Sequence, residues 1–359
     1  MPPVPRSPIK LAILDDYQGI ALKHFETLKP TVEITTFPDT LLPYNDPSTP
    51  EDVKSQLVER LKPFTIISSM RERTPFPASL LKELPNLKFL LNAGNRNKGI
   101  DMEAAKKYGI SVTGTSGNSK TGPDSTTQHT IALILGIARN ISWDDKVVKE
   151  GGWQTTLATG LAGKTLGTLG LGKLGTSVAK IMYSAFGMKV IAWSSSLTQE
   201  AADQKARDCR FATEDEDGEK VFKVVSKEEL FSTADVVSVH LVLGDRSKGI
   251  VGEKDLDLMK KSALFVNTSR GPLVQQDALL DALQKGKIRG AALDVFDLEP
   301  LPADNQWRST KWGEEGRSQV LLSPHMGYVE EDKMNDWYRQ QAENVQRWHD
   351  GKELMDVLA

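Results

Sequence analysis

The sequence predicts an α/β protein built from two Rossmann-like, doubly wound parallel-sheet domains. Three observations carry that expectation. Short apolar runs alternate with helical stretches along most of the chain, the pattern of βαβ units and a parallel sheet. A turn with the spacing G-x-G-x-x-G, at Gly170, Gly172 and Gly175, sits between an apolar run and an amphipathic stretch. The length of 359 residues suggests two domains rather than one.

In the first half, Ile9–Leu14, Val32–Phe37, Thr65–Ser68, Lys88–Leu91 and Ser111–Thr113 read as strands. Helical spacing runs over Ile20–Leu28, Glu51–Leu61, Ala78–Leu84 and Met102–Tyr108. From Asp124 to Ile141 the pattern is long and apolar, a mostly buried helix leading into the second domain. There a new alternation begins with Thr165–Leu169, the helix Lys173–Phe186 and the strand Lys189–Trp193. Val236–Leu241, Ala263–Asn267, Gly290–Asp294 and Val320–Ser323 complete the second sheet. Glu331–His349 is strongly helical and is expected to cross back to the first domain. This places residues 1–117 and 328–359 in one domain and 118–327 in the other, with hinges near 114–124 and 326–331. Two stretches read as insertions: acidic Thr213–Lys220, a solvated loop or hairpin tip, and Ala303–Gln319, polar with Trp307 and Trp312, a surface loop with an active-site role as the alternative.

Composition narrows the function classes. Hydrophobic residues are 39% and charged residues 26%, ordinary for a globular chain, and a net charge of -3 favours neither nucleic acid nor an anionic membrane. Met1–Pro8 lacks the apolar core of a signal peptide and reads as a loose tail, and no apolar run is long enough to span a bilayer. Cys209 is the only cysteine, so no intrachain disulfide forms, in keeping with a reducing compartment and a cytoplasmic enzyme. His24, His129, His240, His325 and His349 show no ligand spacing, so no metal is expected. The sequons at Asn140 and Asn267 read as chance matches, the second in a buried strand.

The glycine turn has a physical reading. Gly170 permits the tight turn, Gly172 lets the backbone approach a pyrophosphate, and Gly175 lets helix and strand pack closely. Leu171, Lys173 and Leu174 complete the phosphate-facing segment at the helix N-terminus. Three further segments follow separate strands and can converge at the sheet's carboxyl edge. They are Asn267-Thr268-Ser269-Arg270-Gly271, then Asp294-Val295-Phe296-Asp297-Leu298-Glu299-Pro300, then Ser323-Pro324-His325-Met326-Gly327.

On these motifs together, over most of residues 65–350, the chain resembles the D-isomer-specific 2-hydroxyacid dehydrogenase family. The resemblance implies a substrate-binding (catalytic) domain, 1–117 with 328–359, and a dinucleotide-binding domain, 118–327, with the active site in a cleft between them and a homodimer built on the cofactor domain. Reduction of a 2-oxo acid needs a hydride donor, a proton donor and a carboxylate anchor. Nicotinamide, as NAD(P)H, is the first. His325 is the general acid, Glu299 holds it in place, and Arg270 binds the carboxylate through its planar fork. Asp294 would accept a hydrogen bond from the nicotinamide carboxamide, with Gly327 on the same side and Thr268 and Ser269 near the ribose. His240 and Leu241 would line the adenine side, although His240 reads equally as a structural histidine. In the first half the resemblance places substrate-binding backbone amides at Ala93 and Gly94, with Arg71 assisting.

Where an NAD-preferring relative carries an acid after the second strand, this chain has Ser194, Ser195 and Ser196. The absence of an acid predicts that NADPH is accepted, with a modest lean towards it over NADH. Glu299 argues against the related formate dehydrogenases, which carry an amide there. Because the sequence ends soon after its last helix, the expectation is a protein without the regulatory domain of many phosphoglycerate dehydrogenases. A nucleotide-sensing co-repressor-like binding protein of the same fold is the alternative, opposed by the lack of long disordered tails.

Overall fold

A computed structural model describes residues 9–29, 31–117 and 122–359. The loose tail at 1–8, and residues 118–121 of the expected hinge, lie outside the described residues. The chain divides into two compact units, Met1–Lys120 with Glu330–Ala359, and Thr121–Val329.

The first unit holds a five-stranded sheet: β1 (Ile9–Ile13), β2 (Val32–Thr36), β3 (Ile66–Ser69), β4 (Phe89–Asn92) and β5 (Ser111–Thr113). All pairings are parallel and the order is β2-β1-β3-β4-β5, with Leu11 opposite Ile66 and Ile66 opposite Phe89. Every residue of β3 and β4 is buried, as expected where helices cover both faces of a parallel sheet. Leu57 and Leu61 of Glu51–Leu61, and Leu80 and Leu81 of Ala78–Lys82, supply the apolar cover. The returning helix Glu331–His349 belongs to this unit and buries Met334, Trp337, Tyr338 and Val345. Ser68 Oγ donates to Gln341 Oε1 at 2.6 Å, tying that helix to β3. The chain end covers the β5 edge, with Val112 N–H donating to Ala359 O and Leu358 N–H to Val112 O, both at 2.7 Å.

The second unit holds seven parallel strands: β6 (Thr165–Leu169), β7 (Lys189–Trp193), β8 (Phe222–Val224), β9 (Val236–Val239), β10 (Leu264–Asn267), β11 (Gly290–Leu293) and β12 (Gln319–Leu322). Their order, β12-β11-β10-β9-β6-β7-β8, reverses direction between β6 and β9. That reversal opens a crevice beyond the strand ends. The fold is the two-domain α/β architecture read from the sequence.

Local differences have local causes. Ile20–Leu28 is two 3-10 turns, Leu22–His24 and Glu26–Leu28, because both Asp16 carboxylate oxygens draw in the Ile20 and Ala21 amides just before them. The apolar stretch from Asp124 is not one helix. It runs Ser125–Ala138, breaks at Asn140 with φ +57°, and resumes as Ile141–Lys149. Asn140 is 2% exposed and donates to Thr156 Oγ1, so that sequon is closed to modification, as is buried Asn267. The short edge strand β8 carries no sequence signal long enough to read. The acidic segment is a hairpin tip, with Glu214 bridging Lys220 and Asp215 Oδ1 accepting from the Asp217 and Glu219 amides. The 303–319 segment departs from a plain surface loop. Its Trp307 is 2% exposed within the second unit's core, and Trp312 Nε1 donates to Trp307 O.

Candidate active site

The glycine turn leaves β6 at the reversal point. Gly170 has φ +100°, and its N–H donates to Trp193 O at 2.8 Å. A Cβ on Gly175 would stand 2.0 Å from Gly170 O, so helix and turn pack at a distance only glycine allows. Among the described residues, nothing lies within 4 Å of a Cβ position on Gly172 and no side chain caps the helix Lys173–Phe186. Unsatisfied first-turn amides beside an open glycine form a cradle for an anion. The residues therefore fit a dinucleotide pyrophosphate. Leu171 is buried, Lys173 exposed and Leu174 half-buried. Ser194 and Ser195 follow β7, half-buried and exposed respectively, and Lys205 and Arg207 lie along the next helix, Gln199–Asp208.

After β9, His240 turns its Nε2 to Ser238 Oγ at 2.9 Å. Burial pushes its pKa down to about 4, so the ring is neutral at neutral pH. Of the two readings of His240, its side chain serves the structural one. Its carbonyl oxygen and the Leu241 side chain stand 3.0 and 3.2 Å from a Cβ on Gly170.

After β10, Thr268 Oγ1 lies 2.7 Å from Thr130 Oγ1, and Ser269 Oγ donates to Leu241 O at 2.7 Å. The Ser269 hydroxyl thus joins two strand ends, and the Thr268 hydroxyl ties the end of β10 to the helix Ser125–Ala138. Arg270 begins the 3-10 turn Gly271–Leu273 and donates from Nη1 to Ser269 O. A Cβ on Gly271 would meet Phe296 O at 2.1 Å, so the arginine loop lies directly on the backbone that leads to Glu299. Glu299 Oε1 accepts from Phe296 N–H at 2.9 Å, and its Oε2 stands 2.5 Å from His325 Nδ1. Three loops far apart in sequence therefore pack against one another within the second unit.

His325 adopts φ +55°, a left-handed conformation that costs about 1–3 kcal/mol outside glycine. Asp294 holds it there. Its Oδ1 accepts from Met326 N–H at 2.7 Å and its Oδ2 from Gly327 N–H at 3.0 Å. Oδ1 also receives Ser323 Oγ at 2.6 Å and faces His129 Nε2 at 3.1 Å. Burial pushes the Asp294 pKa upward, yet the bonds from His129, Ser323 and Met326 outweigh it and hold the carboxyl below its usual range. Oδ2, with one donor among the described residues, keeps capacity for a carboxamide. The sequence reading missed His129, because a single helical histidine 165 residues from its partner leaves no local pattern.

In the first unit, Arg71 and Gly94 are neighbours. A Cβ on Gly94, at φ +96°, would fall 2.3 Å from Arg71 Nη1. Two asparagines join their loops: Asn97 Nδ2 donates to Arg71 O at 2.6 Å and to Asn92 Oδ1 at 2.8 Å. The expected anion-binding amides at Ala93 and Gly94 need correction. Ala93 N–H donates to Ser69 O at 3.0 Å and Gly94 N–H to Thr115 Oγ1 at 2.7 Å, so both are engaged inside the fold. The following amides, of exposed Asn95 and Arg96, have no acceptor among the described residues. Trp337 is 5% exposed, a core residue with the Arg71 guanidinium 5.9 Å from its ring.

Among the described residues no group of three His, Cys, Asp or Glu side chains is arranged to hold a metal ion. Residues 131–327 match the family model described as D-isomer specific 2-hydroxyacid dehydrogenase, NAD binding domain. A glyoxylate reductase from Aeropyrum pernix is 35% identical over 76% of this chain and 76% of its own. A glycerate dehydrogenase from Methylorubrum extorquens is 31% identical over 91% of this chain and 95% of its own. Among solved structures, a phosphoglycerate oxidoreductase from Vibrio cholerae superimposes with a TM-score of 0.77 at 34% identity, covering 96% of this chain and 99% of that one.

Proposed function

The chain belongs to the D-isomer specific 2-hydroxyacid dehydrogenase family, a nicotinamide-dependent oxidoreductase of 2-oxo acids, and from that premise we propose how its residues divide the work. A bound nicotinamide cofactor supplies the hydride in reduction and accepts it in oxidation. The glycine turn Gly170–Gly175 and the amides of Lys173 and Leu174 bind the pyrophosphate, and Asp294 Oδ2 accepts from the carboxamide. His325 is the general acid of reduction and the general base of oxidation. Its Nδ1 is held by Glu299, and its Nε2 exchanges the proton with the substrate oxygen. Arg270 anchors the substrate carboxylate. Within the first unit, Arg71 and the amides of Asn95 and Arg96 suit an anion.

The observation that carries this reading is the 2.5 Å contact between His325 Nδ1 and Glu299 Oε2, with the Arg270 loop packed on the same backbone. Steady-state assays with glyoxylate, hydroxypyruvate, pyruvate and a bulky aryl pyruvate test it. Turnover with at least one, lost in His325→Gln, is expected. Dinucleotide binding without turnover of any would support a nucleotide-sensing protein instead, for which no observation speaks.

We infer a modest preference for NADPH, because Ser194 and Ser195 place hydroxyls and no acid after β7. Comparing kcat/KM for the two cofactors decides it, and a strong NADH preference would overturn the serine reading. We infer a homodimer through the second unit, where Ile141, Val148, Trp153 and Leu157 are 61%, 54%, 75% and 87% exposed. Sedimentation of the native chain and of Trp153→Ser with Leu157→Ser would show a dimer and its loss. We infer a cytoplasmic enzyme from the net charge of -3 and the single cysteine, to be checked by cell fractionation. No described helix is long and apolar enough to cross a membrane.

A further inference from the structure

The loop carrying His325 is braced by a polar cluster in which His129 and Ser323 have no task in the reaction outlined above. His129, on the helix Ser125–Ala138, brings Nε2 to 3.1 Å from Asp294 Oδ1 and 2.9 Å from Ser323 Oγ. Ser323 Oγ itself lies 2.6 Å from the same carboxylate oxygen. A hydroxyl so near an ionised carboxylate donates to it. The His129 contact is then a donation too, with one Nε2 proton shared between Asp294 Oδ1 and Ser323 Oγ, which sets the ring's tautomer. Asp294 is 0% exposed, and its oxygens go on to accept the two amides that follow His325. The chain of contacts runs unbroken from His129, through one buried carboxylate, to the left-handed turn that aims the His325 ring.

We propose that His129 is a positioning residue for His325, acting through Asp294 and Ser323 to hold the loop from Ser323 to Gly327. The inference rests on His325 being the proton-transfer group, the reading given in the preceding section. His129 reaches the reaction only through the loop. Removing its donor takes one hydrogen bond from a fully buried carboxylate and loosens the amides on which the His325 conformation depends.

The test compares His129→Phe, which removes the donor and keeps a flat ring, with His129→Gln, whose amide nitrogen can reach a similar place. The native chain is assayed with hydroxypyruvate and NADPH, with NADH as the second cofactor. For His129→Phe, kcat should fall roughly 10- to 100-fold with little change in cofactor KM. The solvent deuterium isotope effect on kcat should also grow, because proton transfer becomes limiting. His129→Gln should restore most of kcat. If His129→Phe is not recovered folded, His129→Ala is read in the same way. Unchanged kcat in a folded His129→Phe protein would overturn the proposal, as would a raised cofactor KM with kcat unaltered. Full activity in His325→Gln would instead sink the underlying reading, which keeps the two failures apart.

Discussion

His325 Nδ1 and Glu299 Oε2 stand 2.5 Å apart, while Glu299 Oε1 takes the Phe296 amide at 2.9 Å. The carboxylate is held at both oxygens, so it aligns the imidazole as well as attracting it. His325→Gln should therefore lower kcat/KM by roughly 100- to 10,000-fold, the usual range for a lost general acid. Glu299→Gln keeps an oxygen for Phe296 but loses the charge, and a fall of about 10- to 100-fold is expected. Pre-steady-state reduction of hydroxypyruvate with both variants checks the ordering, and a larger loss in Glu299→Gln than in His325→Gln would contradict it.

Arg270 is fixed by its Nη1 donation to Ser269 O and by the close packing of Gly271 on Phe296. A planar fork held this way suits a carboxylate, and lysine cannot reproduce two parallel bonds. Arg270→Lys should cost about 1.5–3 kcal/mol of transition-state binding, seen as a raised KM and a kcat/KM lower by roughly 10- to 100-fold. An unaltered KM for every 2-oxo acid tested would remove the anchoring role.

The glycines of the cofactor turn should separate into two kinds. A Cβ on Gly175 would meet Gly170 O at 2.0 Å, so Gly175→Ala should lose about 1–3 kcal/mol of stability and several degrees of Tm. Gly172 meets nothing within 4 Å, so Gly172→Ala should cost no more than about 1 kcal/mol as a helix N-cap change. Its cofactor affinity should nevertheless weaken about tenfold or more, because the methyl projects into the open space above the turn. Thermal melts with dinucleotide titrations distinguish the two. Equal effects on both quantities in both variants would show the division to be wrong.

Asp15 is a buried acid in the first unit, 2% exposed, accepting from Thr40 Oγ1 and Thr74 Oγ1. Desolvation raises its pKa from 3.8 to about 6 despite those bonds. The folded state therefore holds its proton longer than the unfolded chain. Near pH 3.8 and below this imposes no cost. As pH rises through 6 the charge must be carried in a dry site and stability is lost. Asp15→Asn should raise stability by about 1–3 kcal/mol at pH 8, with the gain shrinking towards pH 5. Melting curves at the two pH values settle it, and a pH-independent difference would mean the carboxyl does not titrate as described.

Much of the fold was legible because parallel strands buried on both faces must be apolar throughout. Runs such as Leu264–Asn267 and Phe89–Asn92 announce themselves for that reason. Short or capped elements were not. The three-residue edge strand β8 has too few residues for a period, and Asp16 turned an apparent helix into two 3-10 turns by hydrogen bonds invisible to spacing. The 303–319 segment looked polar in composition, yet one tryptophan within it found a place in the core.

The sequence by itself determined the two-sheet architecture and the glycine turn and singled out Arg270, Glu299 and His325 as the proposed catalytic set, because each is written in contiguous residues: a period, a fixed spacing or a residue following a strand. Only tertiary structure decided which of their atoms meet. It engaged the Ala93 and Gly94 amides within the fold, turned His240 towards Ser238, and brought His129 onto Asp294 across 165 residues of chain. Hydrogen-bond partners at such separations are chosen by strand order and the mutual packing of loops. A linear pattern records which groups are available, and the competition among nearby donors and acceptors settles how they are used.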